Sequence, residues 1–520
     1  MPRHAFALAM LSAIAGHAYA QPDVQPESTA ITIYSTAAPG AIPAWTYRPV
    51  PQSAMQWQTM QYYGNAPGSF GYGVVRHERN VGLNKGRTEI RFTGVAALLD
   101  PTTVSFTSLT DPEGTRVVEQ NYQFDLVGRD KLLEKYIDKP ISFDLNTGGG
   151  QFVTIEGTLL SAAGGMLIVR DASGQLHSTG SAINVRFPSL PEGLITRPTL
   201  IWDIEAAKAG MHRTRVSYQT EGMTWWADYN MIFTEGKDAN SGLLDVGAWV
   251  SILNRSGASY EDAKLKLVAG DVHRAPQPGM AVPTMTRGGG FREESALGFE
   301  QKAFFEYHLY TLGRPTTIPD NSTKQIELFD TARGVPAEKV LVYYGLAQQY
   351  RGFIPSPVED RNYGIESNRK VDVYLQFRND KDSGLGIPLP SGRVRVSKLD
   401  PADGAMEFIG EDIIDHTPRD EDVLIKLGEA FDVVGERTQT DFNSNYAARW
   451  IEERVKVVLR NHKDEPVKVI IKENMFRWVN WEITKTSHDW EKQDSRTIHV
   501  PVSIPAHGEV EFTYTVRYTW

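Results

Sequence analysis

The sequence predicts an all-β, multi-domain protein, built from immunoglobulin-like β-sandwiches with a small β-barrel-like unit and a minor helix. Three observations carry this. Short runs of alternating apolar and polar residues recur from "AITIYST" to "VEFTYTVRYTW", the period of a half-buried strand. Clusters of Gly, Asn, Asp and Pro separate them and supply turn dihedrals. One stretch, "GRDKLLEKYID" at 128–138, has helical spacing, with Leu132, Leu133 and Tyr136 on one face. At about 150 residues per domain, 520 residues leave room for roughly three domains.

Taken in order, "MPRH" and "AFALAMLSAIAG" form a basic start and an apolar run of twelve, too short to span a bilayer. "AYA" follows, with small residues at the signal-peptidase positions. Residues 1–20 are therefore expected to be a signal peptide, cleaved near Ala20, giving a periplasmic or secreted chain. A polar leader covers 21–30. An N-terminal β domain is expected over 31–127, with an aromatic, Gly/Pro-rich insertion. The barrel-like unit covers 128–190, where "NTGGG", "SAAGG" and "DASG" separate short strands. A central β-sandwich domain covers 191–435 and carries a long loop at 274–300. A C-terminal immunoglobulin-like sandwich covers 440–520.

Composition narrows the function classes. There is no cysteine, so neither a disulfide nor a cysteine-borne lipid anchor is expected. No later run of eighteen apolar residues predicts a transmembrane helix. The net charge is −10, and −11 without Arg3. An acidic chain without a long basic run argues against nucleic acid as a partner.

Three phrases echo one another: "VSILNRSGASYEDAKLKL", "VYLQFRNDKDSGLGIPLPSGRVRV" and "VKVVLRNHKDEPVKVIIKEN". Each reads as strand, Asn, polar turn, strand. Asn254, Asn379 and Asn461 are placed where a short amide can bond the turn backbone. Their spacings, 125 and 82, exclude a regular solenoid.

The densest acidic stretch is "GEDIIDHTPRDEDVLIKLGEAFDVVGER", where Glu411, Asp412 and Asp415 stand beside His416. It lacks the ligand spacing of an EF-hand, and zinc would need more histidine or cysteine ligands. A polar sheet edge accounts for most of the pattern. A structural calcium ion is the minority reading, and no other cofactor is expected. Asp271 and His273, two apart at a strand end, form a candidate acid–base pair, against the simpler reading of an ion pair. Trp225 and Trp226 point to opposite faces if "TEGMTWWADYNMIF" is a strand. One then lines a core and the other is free to bind. G-x-S-x-G, HExxH and dinucleotide fingerprints do not occur.

Six phrases, "ALLDPTTVSFTSLTDPEGTRVVEQNYQFDL", "GMTWWADYN", "YEDAKLKLVAGDVHR", "YTLGRPTTIPDNSTKQIELF", "GLGIPLPSGRVRV" and "FIGEDIIDHTPRDEDVLIKLGEAFDVVGERTQTDF", together resemble the family called domain of unknown function 4139. These are exported bacterial proteins related to the C-terminal domain of mucoidy inhibitor A. The resemblance runs from about residue 70 to the C-terminus. It implies an exported envelope protein and brings no catalytic residues, because the family has no established activity.

The reading of function is a non-enzymatic binding or scaffold protein for an envelope protein or glycan. Two alternatives stand beside it. One is a carbohydrate-active hydrolase using Asp412, Asp415 and Asp271, since such enzymes set two carboxylates about 5 to 9 Å apart. The other is an outer-membrane β-barrel, because Val510, Phe512, Tyr514, Val516, Tyr518 and Trp520 alternate to the chain's end.

Overall fold

The structure is a computed structural model and describes residues 27–35, 42, 47, 71–148, 151–191, 193–270, 272, 299–304, 307–350, 355–400 and 402–520. It is all-β, with one α-helix among the described residues. The chain divides into two compact units, each assembled from separated segments. The first takes 1–30, 74–220 and 256–263, and the second 31–73, 221–255 and 264–520. No helix among the described residues is long and apolar enough to cross a membrane.

In the first unit, strand Thr199–Ala206 is the centre of a three-stranded antiparallel sheet between Gly86–Thr93 and Thr115–Gln123. Its alternation "TLIWDIEA" buries Leu200, Trp202 and Ile204. Trp202 packs against Phe92 and Phe106 at 5.3 and 5.2 Å between ring centres, and its indole N–H donates to Gln120 Oε1 at 2.8 Å. A buried tryptophan needs such an acceptor.

A second sheet of this unit has the strand order Ile183–Arg186, Pro140–Gly148, Gln151–Ser161, Leu167–Asp171, Leu176–Thr179. The barrel-like unit expected over 128–190 is thus an open sheet, with no pairing between its first and last strands. The helix Arg129–Lys135 supplies the cover that closure would have given. Leu133 and Tyr136 join Ile141, Phe143, Leu159, Leu167 and Val169 in one core. The helix is shorter than 128–138. Tyr136 is its C-cap, and Asp138 takes a positive φ of 63° that turns the chain toward the next strand.

His77 is also buried in this unit, hydrogen-bonded to Thr29 Oγ1 and the Tyr218 hydroxyl at 3.1 Å each. Burial, and then the Arg79 cation, lower its pKa from 6.5 to about 3. The unfolded chain therefore takes up a proton at a higher pH than the folded one. Stability is full above the unfolded value and falls as pH drops toward about 3, by about 1.4 kcal/mol per pH unit. At pH 5 the expected loss is about 2 kcal/mol. Urea unfolding at pH 7 and pH 5 measures it, and His77→Gln is expected to remove that increment. An unchanged pH dependence in the variant would contradict the assignment.

The second unit is dominated by a thirteen-stranded sheet. Its main path runs Met406–Ile414, Gly392–Leu399, Met223–Glu235, Ser241–Asn254, Ser322–Tyr344, Lys370–Arg378, Asp422–Asn445, Trp450–Asn461, Glu509–Thr519, Trp481–Thr486. Two strands are far longer than the usual five or six residues. Ser322–Tyr344 has 23 residues and Asp422–Asn445 has 24. Each pairs with one neighbour over its first part and with the next over its second. Thus Asp422–Val434 lies along Lys370–Arg378, while Val433–Asn445 lies along Trp450–Asn461. Strand Asp422–Asn445 crosses 435–440 without interruption. In Ser322–Tyr344 the chain accommodates Pro336 beside a bulge. Gly334 takes a positive φ of 70° there, and its N–H donates to Asp245 Oδ1 at 2.9 Å.

The internal echo becomes a triplicated device in this unit. Asn254, Asn379 and Asn461 are all buried. Asn254 Nδ2 donates to the carbonyls of Ile318 and Pro319 at 3.3 and 3.1 Å. Asn379 Nδ2 donates to those of Ile387 and Pro418 at 2.7 and 2.9 Å. Asn461 Nδ2 donates to those of Glu465 and Pro505 at 2.8 and 3.0 Å. Two residues beyond each of these prolines lies a left-handed residue: Asn321 (φ 51°), Asp420 (φ 65°) and His507 (φ 51°). The strand ending at or just before each asparagine pairs with the strand that follows the matching proline turn: Asn254 opposite Ser322, Arg378 opposite Asp422, Arg460 opposite Glu509.

The C-terminal part is a sandwich around one core. Trp450–Asn461 and Glu509–Thr519 contribute Val455, Val457, Phe512, Tyr514, Val516 and Tyr518. Val467–Asn474 and Thr497–Ile504 contribute Val469, Ile471, Val500 and Val502. The alternation that prompted the outer-membrane reading therefore faces a protein core, because strands pair on both sides of Glu509–Thr519 and a second leaf covers its apolar face. No sheet among the described residues closes into a barrel.

Candidate functional site

The second unit's sheet buries one face and leaves part of the other accessible. On Met223–Glu235 the odd positions Trp225, Ala227, Tyr229 and Met231 are buried. Trp225 packs edge-on to Tyr310 at 6.1 Å, and its indole N–H donates to the Val268 carbonyl at 3.2 Å. It is a core residue, out of reach of a ligand. Trp226 lies on the opposite face, half-buried, against Tyr47 at 5.3 Å.

Register places the neighbours of Trp226. It is opposite Ser251, while Asp228 is opposite Trp249. Trp226 and Trp249 are therefore diagonal neighbours on one face, about 7–8 Å apart at the backbone. Trp249 is 40% exposed. Beside this aromatic pair runs a polar rail over five adjacent strands. Gln325 Nε2 donates to Ser251 Oγ at 3.0 Å, and Ser251 Oγ donates to Asp228 Oδ2 at 2.7 Å. Arg395 bridges Asp228 Oδ1 and Glu411 Oε2 at 3.6 Å each. Arg393 and Ile413 continue the row that holds Trp249 and Asp228.

The acidic stretch does not converge. Glu411 belongs to the rail. Asp412 lies on the other side of the same strand and ties backbone amides, accepting from Lys426 N at 2.7 Å and Ile413 N at 2.9 Å. The Asp415 carbonyl accepts from Thr417 Oγ1 at 2.9 Å. His416 Nδ1 accepts from Ser391 N at 3.0 Å, beside the Leu389–Thr417 bridge. Burial, and then the neighbouring His416, lower the pKa of His308. No group of three or more His, Asp or Glu among the described residues is arranged to hold a metal ion. Asp271 and His273 lie outside the described residues, as does nearly all of the loop 274–300.

Sequence reasoning singled out Trp226 and Glu411 but missed what joins them: Asp228, Trp249, Ser251, Gln325 and Arg395. The signal was available in phase. Trp249 and Ser251 fall on the polar side of "LDVGAWVSIL", as Arg393 and Arg395 do in "GRVRVSKL".

It also missed a buried charge network in the C-terminal sandwich. Arg437 pairs with Glu473, and Arg477 with Glu453, each at 2.9 Å with both partners almost fully buried. Tyr514 donates to Glu473 at 2.6 Å, and Gln439 to Glu453 at 3.1 Å. Burial opposes the charge of Arg437, but Glu473, Tyr514 and Glu453 outweigh it and hold its pKa above the ordinary value. This network has no open approach and is structural.

The chain matches no protein-family description, no curated protein and no solved structure.

Proposed function

We propose that this chain is an exported, non-enzymatic binding protein of the bacterial cell envelope, related to the domain of unknown function 4139 proteins. Its sheet face around Trp226 and Trp249 holds a glycan. The observation that carries the reading is the aromatic pair set beside a fixed polar rail. A sugar ring has an apolar C–H face, which an indole covers, and a rim of hydroxyls, which carboxylate, amide and guanidinium groups bind. The rail is already hydrogen-bonded, so little side-chain ordering opposes binding. Export rests on the leader at 1–20, and kinship on the quoted phrases.

A second reading, an envelope protein as partner, is favoured by the sheet's edge. Met406–Ile414 pairs, among the described residues, only with Gly392–Leu399. Lys426 and Leu427 already lie against its second half, with Lys426 N donating to Asp412 at 2.7 Å, so the stretch left for an extended peptide to add as a strand is the first half, where Met406 and Phe408 are exposed beside Leu399.

Co-sedimentation with insoluble cell-wall and exopolysaccharide preparations separates the two. Trp249→Ala is expected to weaken glycan binding about tenfold, the loss of one stacked ring. Sedimentation indifferent to Trp249→Ala would count against the glycan site, and capture of a defined protein by the Met406–Ile414 edge would favour the second reading.

A further inference from the structure

A cleft of about 220 Å³ opens elsewhere in the second unit. Its apolar walls are Phe233, Val373, Leu375, Ile409 and Leu427, and Lys339 and Lys398 stand among them. The carboxylates that line it are already committed. Glu235 pairs with Lys398 at 2.8 Å, and Glu429 with Lys370 at 2.6 Å. Lys339 is half-buried and, among the described residues, makes no ion pair. Its own main chain is fixed, because Lys339 N donates to Asn240 O at 2.6 Å and its carbonyl accepts from Asn240 Nδ2 at 2.8 Å. Burial, and then the nearby Lys463 cation, push the Lys339 pKa below the ordinary lysine value. Glu235 and Glu465 act on this ammonium only from beyond ion-pair distance, and Glu235 is engaged by Lys398.

We infer that this cleft binds a small amphipathic anion, a carboxylate carrying a short apolar chain, with the charge at Lys339 and the chain against Phe233, Leu375 and Leu427. Charge and shape both favour this occupant. A cleft of about 220 Å³ has room for a short chain of about six carbons. The apolar walls reward each methylene that they bury. The inference is independent of the glycan face, which lies on other strand positions.

Isothermal titration of the full chain with hexanoate, and with 1-hexanol as the uncharged counterpart, tests it. Saturable hexanoate binding is expected, weakened about tenfold or more by Lys339→Met, while hexanol binding is unchanged. Leu427→Trp, which fills the cleft and keeps the lysine, is expected to abolish binding of both probes, and it serves should Lys339→Met fail to fold. Absence of saturable hexanoate binding up to about 10 mM, or binding insensitive to both substitutions, would overturn the inference.

Discussion

Replacing Arg477 with alanine is expected to lower the unfolding free energy by about 3–5 kcal/mol, the largest effect of any single polar substitution in this chain. Arg477 is fully buried. Its Nε donates to Glu453 at 2.9 Å, and its terminal nitrogens donate to the carbonyls of Val358, Asp360 and Tyr363 at 3.1, 2.8 and 3.1 Å. The guanidinium also lies over the rings of Phe442 and Phe476 at 4.7 and 5.0 Å. Its removal leaves Glu453 charged in a place with almost no water, and it takes a donor from three backbone carbonyls, of which Asp360 keeps Tyr363 N at 3.2 Å. Burying two charges is costly in itself, so the loss measures the orphaned partner more than the worth of the pair. The double variant Arg477→Met/Glu453→Leu is therefore expected to recover much of the stability lost by Arg477→Ala. Urea midpoints measure both, and proteolysis within 355–369 should rise in the single variant. A single-variant loss below about 1 kcal/mol would show that water reaches Glu453 in solution. The neighbouring pair constrains the chain similarly: a Cβ at Gly345 would collide with Glu473 Oε1 and with the Arg437 side chain.

Replacing Asn461 with alanine is expected to cost about 3 kcal/mol. The amide makes three principal bonds: Nδ2 to the carbonyls of Glu465 and Pro505, and Oδ1 from Lys463 N at 3.0 Å. These bonds hold two turns together, one following the strand and one preceding its partner. Each lost bond is worth about 1 kcal/mol, with more where the orphaned group stays buried. Asn461→Asp keeps the volume and the acceptor but not the two donors, so it should lose nearly as much as Asn461→Ala. If aspartate were tolerated, the donors would not be what matters. The same substitutions at Asn379, which bonds Ile387, Pro418 and Gly386, should behave alike.

The strands were legible because one face of nearly every sheet is buried, so period-two alternation survives in the sequence. The three asparagines were legible because an amide after a strand has a local task. The acidic stretch misled as chemistry because neighbours in sequence alternate faces. Glu411 and Asp412 are adjacent, yet one joins the rail and the other ties backbone amides on the far side. The buried charges escaped for a different reason. Glu453 stands between Ile451 and Val455, and Glu473 follows Val467, Val469 and Ile471 in the same inward phase. A carboxylate there reads as an exposed residue unless an arginine at distant positions 437 or 477 is known to meet it. Likewise the rail draws on five strands spread from Asp228 to Glu411, and strand order was not available from one sequence.

The central claim is that the Trp226–Trp249 face holds a glycan. A photo-reactive residue placed at 249 in the full chain, irradiated in the source cells, tests this most directly. Phe431, 94% exposed in the same unit, serves as the control position. The account predicts sugar-containing adducts from position 249 and not from 431, and their loss when Arg395→Ala breaks the rail. Equal adducts from both positions, or protein adducts alone from 249, would contradict it.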